Sequence, residues 1–392
     1  MAIKLAKRME RLGTETAFEV LARAKQLEAE GRSVIHLEIG EPDFDTPRNI
    51  IDAGVEALRG GYTHYGPSAG MPDVRAKYAQ AFASDRGVPC SPEQVVITPG
   101  AKPILYFVIT ALLDEGEECI YPNPGFPIYE SVIDFVGGTA VPLPLREEND
   151  FRIDHDELRR LANPNTKLII FNSPQNPTGG VLTPEDLEVI AEVAKENDAW
   201  VLADEIYSHI IYEGEHHSIL EIDGMAERTI VLDGHSKTYA MTGWRLGYGI
   251  MPTELAPAIA RLMTNVNSCT ASFTQVAGAE ALLGDQSGAE AMVSEFRVRR
   301  DLLVAALNDI PGVSCKLPGG AFYVFPNISE LGIGSIDFQR QLLEEHGVAA
   351  LAGTAFGKHG AGYLRFSYAN SQENLREGVA RMARFVEDLQ KV

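Results

Sequence analysis

One short segment of the chain combines an amine and a guanidinium group. Lys237 follows the apolar, strand-like run Ile230-Val231-Leu232, and Arg245 lies in the same segment. A lysine amine can form a Schiff base with an aldehyde, and an arginine can hold a phosphate. A solvated surface lysine is the alternative, but the apolar side chains that follow Lys237 would desolvate its amine and favour a nucleophile. The segment is therefore typical of a site for a phosphate-bearing aldehyde.

An acid and a tyrosine occur near the end of another apolar strand. Asp204 closes the run Val201-Leu202-Ala203, and Tyr207 comes soon after it. A buried carboxylate needs a positive partner, and a protonated pyridine nitrogen is one that also makes the ring an electron sink. The alternatives are a helix N-cap for Asp204 and a core aromatic for Tyr207. Together with Lys237 and Arg245, the pair indicates pyridoxal 5′-phosphate and the movement of an amino group.

Three further positions have weaker signals of their own. Asn176 lies in a turn rich in proline and glycine, which would fix its orientation, although a plain loop is the alternative. The turn from Thr98 to Lys102 joins a strand to a helix, where free backbone N–H groups bind phosphate. Arg365 interrupts a strand and could bind a carboxylate with two hydrogen bonds, or it could be an exposed edge residue.

Composition excludes several other functions. The 392 residues carry a formal net charge of −21, which disfavours nucleic-acid and anionic-membrane partners. Four scattered cysteines without a C-x-x-C pair predict neither a disulfide framework nor a zinc site, and a reducing cytoplasm is the simplest compartment. The neighbours of His216 and His217 predict a solvated turn rather than a metal site. We find neither a secretory signal nor an apolar window long enough to span a membrane.

The elements that would position these residues alternate along the chain. Short apolar strands separated by helical patterns predict an α/β fold with a mainly parallel seven-stranded sheet and helices on both faces. Ligands bind such sheets at the carboxyl ends of the strands, where most candidate residues fall. We expect residues 1–45 to form an N-terminal arm and part of a small domain. Residues 46–287 would form the large cofactor-binding domain, and residues 288–392 a smaller α+β domain.

Three segments, taken in order, resemble those of class I aminotransferases of the aspartate aminotransferase superfamily. They are Gly40-Glu41-Pro42-Asp43-Phe44, Asn176-Pro177-Thr178-Gly179 and Leu364-Arg365-Phe366-Ser367. The resemblance runs nearly from end to end and is strongest to the bacterial and archaeal aspartate aminotransferase branch. It implies the first fold type of pyridoxal-phosphate enzymes.

The resemblance implies a role for each candidate residue. Lys237 would carry the cofactor and shuttle protons, Asp204 would pair with the pyridine nitrogen, and Tyr207 and Asn176 would bind the phenolic oxygen. Further cofactor contacts would come from the ring-stacking Phe126, the backbone of Ala101 and Lys102, the phosphate ligands Ser236 and Arg245, and Tyr65 from a neighbouring subunit. The substrate α-carboxylate would be held by Arg365, Gly40 and Asn176. Sharing Tyr65 between subunits implies a homodimer.

Two departures from the animal-type branch concern phosphate and substrate binding. Gly234 stands where that branch has a phosphate-binding serine, so that contact is missing. The segment from Asn265 to Thr270 contains no arginine for a distal carboxylate, and the side chain of Lys102, with Thr16, is the only obvious replacement. Strict dicarboxylate specificity is therefore not implied.

The expected reaction is a ping-pong transamination in amino-acid metabolism. By resemblance, 2-oxoglutarate is the common oxo acid, and aspartate or an aromatic amino acid is the other partner. The alternative is another pyridoxal-phosphate enzyme on the same scaffold, such as a β-lyase, a cyclising synthase or an oxidase, because the cofactor supplies the chemistry in all of them.

Overall fold

The structure is a computed structural model, and it describes residues 3–391. Its strands are β1 (Ile35–His36), β2 (Val95–Thr98), β3 (Glu118–Asn123), β4 (Thr139–Pro144), β5 (Thr166–Asn172), β6 (Trp200–Asp204), β7 (Thr229–Gly234), β8 (Gly247–Ile250), β9 (Tyr323–Val324), β10 (Val348–Ala349), β11 (Leu351–Ala352) and β12 (Leu364–Ser367). Its α-helices are α1 (Thr16–Ala29), α2 (Arg48–Arg59), α3 (Pro72–Arg86), α4 (Lys102–Leu112), α5 (Ile128–Val136), α6 (His155–Leu161), α7 (Pro184–Glu196), α8 (Ala256–Val266), α9 (Ser272–Leu283), α10 (Ser287–Asn308), α11 (Ser335–His346) and α12 (Gln372–Leu389).

The centre of the molecule is a seven-stranded sheet with the order β2-β8-β7-β6-β5-β3-β4. Strand β8 is antiparallel to both of its neighbours, and the other described strands of this sheet run in one direction. Successive residues of a strand point to opposite faces. Accordingly Val231 packs in one hydrophobic cluster, whereas Ile230 and Leu232 pack in the other. The predicted mainly parallel sheet between two layers is confirmed.

A smaller part of the fold contains two short sheets. Strand β1 pairs in parallel with β10, and β12 lies between β11 and β9 in an antiparallel sheet. Helices α10, α11 and α12 accompany these strands, which agrees with the α+β character expected there. The predicted domain bounds stay a prediction, and they include residues 1, 2 and 392, which lie outside the described residues.

The expected strand from Val34 to Ile39 is much shorter in the structure. Only Ile35–His36 is strand, although the Leu37 N–H still donates to the Ala349 carbonyl. The Leu37 carbonyl accepts from the Ser367 N–H, whereas the Glu38 carbonyl accepts from the Arg365 guanidinium. Side-chain pairing thus replaces strand pairing from Glu38 onward.

Within residues 3–391, no helix combines the length and apolar character that a membrane crossing needs. The same range contains no group of three metal-ligating side chains. Its four cysteines are free thiols.

Candidate active site

A cavity of about 490 Å³ lies at the carboxyl ends of the central parallel strands. Strands β5, β6 and β7 end at Asn172, Asp204 and Gly234, so the loops that follow them meet at this edge. The predicted residues that line the cavity are Gly40, Ala101, Lys102, Phe126, Asn176, Asp204, Tyr207, Ser236, Lys237, Arg245 and Arg365. Tyr65 is the predicted site residue that does not line it, and it is 90% exposed.

Lys237 contributes an amine to the cavity. Its Nζ donates to the Gly40 carbonyl at 2.5 Å. Burial, followed by the positive charge of Arg365, lowers the pKa of Lys237 to about 8. A neutral, nucleophilic amine is therefore far more accessible near neutral pH than in an ordinary lysine.

Asp204 presents a carboxyl group that burial keeps partly protonated. Burial raises its pKa to about 6, while a hydrogen bond from the Tyr129 hydroxyl opposes the rise. Residues 206–209 form a turn rather than a helix, so the N-cap alternative for Asp204 is wrong. A protonated ring nitrogen would suit this buried acid, because it would supply the positive partner that the anion lacks.

Tyr207 lines the cavity together with Tyr323. Its hydroxyl lies 2.8 Å from that of Tyr323, and burial raises the pKa of Tyr207 well above its usual value. A side chain at Gly40 would collide with Tyr323, since a Cβ there would lie 2.0 Å from the tyrosine oxygen. Glycine at position 40 therefore allows the two tyrosines and the Gly40 carbonyl to share the cavity.

The phosphate end of the predicted site is a close packing of backbone and guanidinium. Gly100 has φ +88°, and a Cβ there would lie 2.4 Å from Nη2 of Arg245. A Cβ at Gly247 would lie 2.3 Å from the Ala101 nitrogen. The backbone N–H groups at the start of α4 and the Arg245 guanidinium therefore lie close together. Such an arrangement is suited to binding a phosphate.

The absence of a serine at position 234 has a steric reason. A Cβ at Gly234 would lie 3.1 Å from the Gly247 Cα and 3.2 Å from both Ile206 Cδ1 and the Leu246 carbonyl. A side chain would push β7 and β8 apart at the point where they lead to Lys237 and Arg245. The predicted departure at this position is thus part of the packing of the sheet.

Arg365 forms the opposite wall and is buried, 4% exposed. Its Nη1 donates to the Asn176 side-chain oxygen at 3.1 Å, and its Nη2 donates to the Glu38 carbonyl. Its Nε has no hydrogen-bond partner among the described residues. The rings of Tyr323 and Phe356 lie 4.4 and 4.8 Å from its guanidinium carbon. A buried cation with an unused donor that lines a cavity fits a carboxylate ligand, and the exposed-edge alternative is wrong.

Lys102 does not present a free ammonium group to the cavity. Its Nζ forms an ion pair with Glu15, which precedes α1, and it lies 5.3 Å from the centre of the Phe126 ring. Thr16, the expected companion of Lys102, lines the same cavity. A substrate carboxylate that approached Lys102 would therefore also meet the carboxylate of Glu15.

His216 differs from the solvated turn predicted for it. Its side chain is only 9% exposed, and Nε2 lies 2.9 Å from Glu205. Glu205 also accepts from Arg86 at 2.9 Å, and Arg86 donates to Asp233 at 3.2 Å. Arg86 thus pairs with both carboxyl groups, and such pairing is how buried ionised groups are tolerated.

Sequence reasoning missed Tyr129, Tyr323 and Glu15. Tyr129 lies in the first turn of α5, close to Phe126, so helical spacing from the predicted stacking residue was a usable signal. Tyr323 lies in β9 between buried neighbours, is itself buried and looks like a core residue. Glu15 had no motif around it, and its importance is visible only through Lys102.

Comparison with known proteins agrees with this geometry. A family model described as aminotransferase class I and II matches residues 32–382. The aspartate aminotransferase of Pyrococcus horikoshii is 42% identical over 371 residues, which cover 94% of each chain. The aromatic-amino-acid aminotransferase 2 of Thermococcus litoralis is 40% identical, with 91% of this chain and 92% of that protein covered. The structure of aspartate aminotransferase from Thermus thermophilus with maleate has a TM-score of 0.93 at 37% identity, covering 98% of this chain and all of that one (100%). The chain therefore belongs to the class I and II aminotransferases and is a transferase.

Proposed function

We propose that this aminotransferase uses pyridoxal 5′-phosphate to exchange an amino group between an L-amino acid and a 2-oxo acid. The observation that carries the proposal is that Lys237, Asp204 and Arg365 line one cavity, with a lysine pKa lowered to about 8. An amine, a ring-nitrogen partner and a carboxylate anchor are the three groups that this chemistry requires. Aspartate or an aromatic amino acid, with 2-oxoglutarate as the acceptor, is the proposed substrate pair, in line with the names of the relatives.

The residues present fit the cofactor at both of its ends. The start of α4, with Ser236 and Arg245, would hold the phosphate, and Asp204 would hold the proton on the ring nitrogen. Tyr207 and Asn176 would bind the phenolic oxygen, and Phe126 would lie against the ring. When bound, the cofactor supplies a carbonyl that condenses with amines and a ring that accepts electrons from the substrate.

The protein's own groups then position the substrate and move protons. Arg365, helped by Asn176 and Gly40, would fix the α-carboxylate, so that the Cα–H bond is oriented toward Lys237. Nζ of Lys237 would accept the Cα proton and return one at the other end of the transfer, since its pKa of about 8 suits both directions near neutral pH. The second half-reaction would use the same groups in reverse.

A stoichiometric assay tests the reaction class. The purified protein with pyridoxal 5′-phosphate is incubated with 2-oxoglutarate and each common amino acid in turn, and both products are quantified. We expect glutamate and the new oxo acid in equal amounts. Release of ammonia or peroxide without glutamate would instead show a lyase or an oxidase on this scaffold.

A substitution tests the assignment of the lysine. Lys237→Ala should remove the visible absorbance of the protein-bound cofactor and all amino transfer, because the covalent attachment is lost. An unchanged absorbance spectrum would refute the role of Lys237.

We also propose a homodimer that works in a reducing compartment such as the cytoplasm. Tyr65 and its neighbour Tyr62 are exposed, 90% and 41%, as is Val266 at 62%. Exposed apolar side chains that cluster on one surface are typical of an interface. In a dimer, Tyr65 would reach the phosphate of the other subunit.

A further inference from the structure

The ion pair of Glu15 and Lys102 lies at the cavity. Ala17, Phe18 and Phe126 line the same cavity. The charges of Glu15 and Lys102 both act on the pKa of Lys237, and that of Glu15 also acts on Arg365. The pair is therefore close to the groups proposed to handle the amino and carboxylate ends of a substrate.

The pair changes what Lys102 can recognise. A lone ammonium group in this place would attract a second carboxylate on the substrate, but here Glu15 already provides one. The Glu15 side chain is the less accessible partner, 19% exposed against 47% for Lys102. A substrate carboxylate that approached Lys102 would meet the like charge of Glu15, and like charges brought together disfavour binding.

Glu15 is also free to leave Lys102 without damage to the fold. It precedes α1 with an extended backbone, and its side chain makes no capping hydrogen bond to that helix. The side chain has one described ion-pair partner, Lys102, and rotation away from it would break no helix contact. The wall beside it offers apolar surface from Ala17 and Phe18.

We propose that Glu15 sets the side-chain preference of the site by occupying Lys102, so that amino acids with uncharged or aromatic side chains bind directly whereas dicarboxylates must first displace Glu15. This inference rests on the proposed function, because it takes the cavity to be the amino-acid site. It makes Glu15 a specificity-determining residue.

Binding of two matched probes tests the proposal without any turnover. Succinate and butyrate differ by one carboxylate, and their dissociation constants are measured by calorimetry with the cofactor-loaded protein. Glu15→Gln should tighten succinate binding about tenfold, roughly 1.4 kcal/mol, and leave butyrate within about twofold. Glu19→Gln removes the same charge from an exposed position in the first turn of α1 and is the matched control; it should change neither constant.

A second variant isolates Lys102 as the group that Glu15 occupies. In the double variant Glu15→Gln, Lys102→Gln, the gain in succinate affinity should disappear, since the released ammonium group is gone. An unchanged succinate constant in Glu15→Gln, or equal gains in Glu15→Gln and Glu19→Gln, would overturn the proposal. Because binding is measured apart from catalysis, a protein that bound both probes but moved no amino group would contradict the proposed function and leave this result intact.

Discussion

At the scale of single residues, burial changes the ionisation of the two groups that would act on the cofactor. It lowers the pKa of Lys237 to about 8 and raises that of Asp204 to about 6. Both shifts have the same cause, because a low-dielectric surrounding disfavours the charged form of either group. Both groups therefore change their ionisation close to neutral pH. This suits an amine that would exchange protons and a carboxyl group that would pair with a cation.

The lowered pKa of Lys237 should be measurable as reactivity. In the cofactor-free protein, acylation of Lys237 should accelerate as the pH rises and level off above about pH 8, because the neutral amine is the reactive form. Mass spectrometry of the digested protein follows the rate, with a lysine model amide, of pKa about 10.4, as the reference. A profile that matched the model amide would show that the amine is fully hydrated.

Arg365→Ala should weaken the binding of every amino acid, whatever its side chain. The guanidinium would hold the α-carboxylate, which all substrates share, so KM should rise at least about tenfold for apolar, aromatic and acidic amino acids alike. Steady-state kinetics across these classes checks the prediction. A rise confined to one class would show that Arg365 contacts the side chain instead.

Much of the site could be predicted from sequence because its residues stand in short motifs. Asp204 ends β6, and Asn176 and Lys237 lie shortly after the ends of β5 and β7, so the sheet brings the three together. Tyr323 could not be found in this way, because its hydroxyl meets that of Tyr207 across 116 residues of chain and nothing local distinguishes it from a core aromatic. Tyr129 meets Asp204 across 75 residues, and its only local signal is its spacing from Phe126. The pairing of Glu15 with Lys102 is a contact of the same long-range kind.

At the scale of elements, the ends of the strands are fixed by a buried charge network. Arg86, the last residue of α3, donates to Glu205 just after β6 and to Asp233 in β7. Those two strands lead directly to Asp204 and to Lys237. Both strands were predicted from the sequence. His216 was predicted to lie in a solvated turn because its neighbours are glycine and acidic residues, and these neighbours give no sign of its contact with Glu205.

Replacement of Arg86 should cost far more stability than replacement of a surface arginine. Arg86→Ala removes the buried cation that Glu205 and Asp233 share and leaves His216 as the remaining ionisable partner of Glu205, so the free energy of unfolding should fall by about 3–5 kcal/mol. Arg48→Ala breaks a pair with Asp52 in which the side chains are 83% and 55% exposed, and should cost at most about 1 kcal/mol. Urea unfolding of both variants provides the comparison. Similar losses would show that the network does not stabilise the fold.

At the scale of the whole molecule, the cavity is nearly complete within one chain. The predicted site residue that lies outside it is Tyr65, which is 90% exposed. A second copy of the chain would explain why Tyr65 is exposed in a single chain. It would also explain why Tyr65 matches a tyrosine that contacts the phosphate of a neighbouring subunit. No sequence pattern alone shows how two copies meet, because an interface depends on surfaces that are far apart along the chain.

A dimer that combines one Tyr65→Ala subunit with one Lys237→Ala subunit should be more active than a dimer of either variant alone. We expect sedimentation to give about twice the 42.7 kDa chain mass. Tyr65→Ala should weaken cofactor binding, and Lys237→Ala should be inactive. Coexpression of the two should restore one intact site in each mixed dimer. A monomer by sedimentation, or no recovery in the mixture, would contradict shared sites.

The reversed direction of β8 has a practical consequence. Because β7 ends and β8 begins at the same edge of the sheet, the connection between them leaves and returns at the cavity, carrying Lys237 and Arg245 on one short stretch of chain. The proposed covalent anchor and the proposed phosphate ligand therefore share one connection. An insertion inside it would displace Lys237 and Arg245 together, so we expect length changes to be tolerated less readily here than in loops at the opposite edge of the sheet.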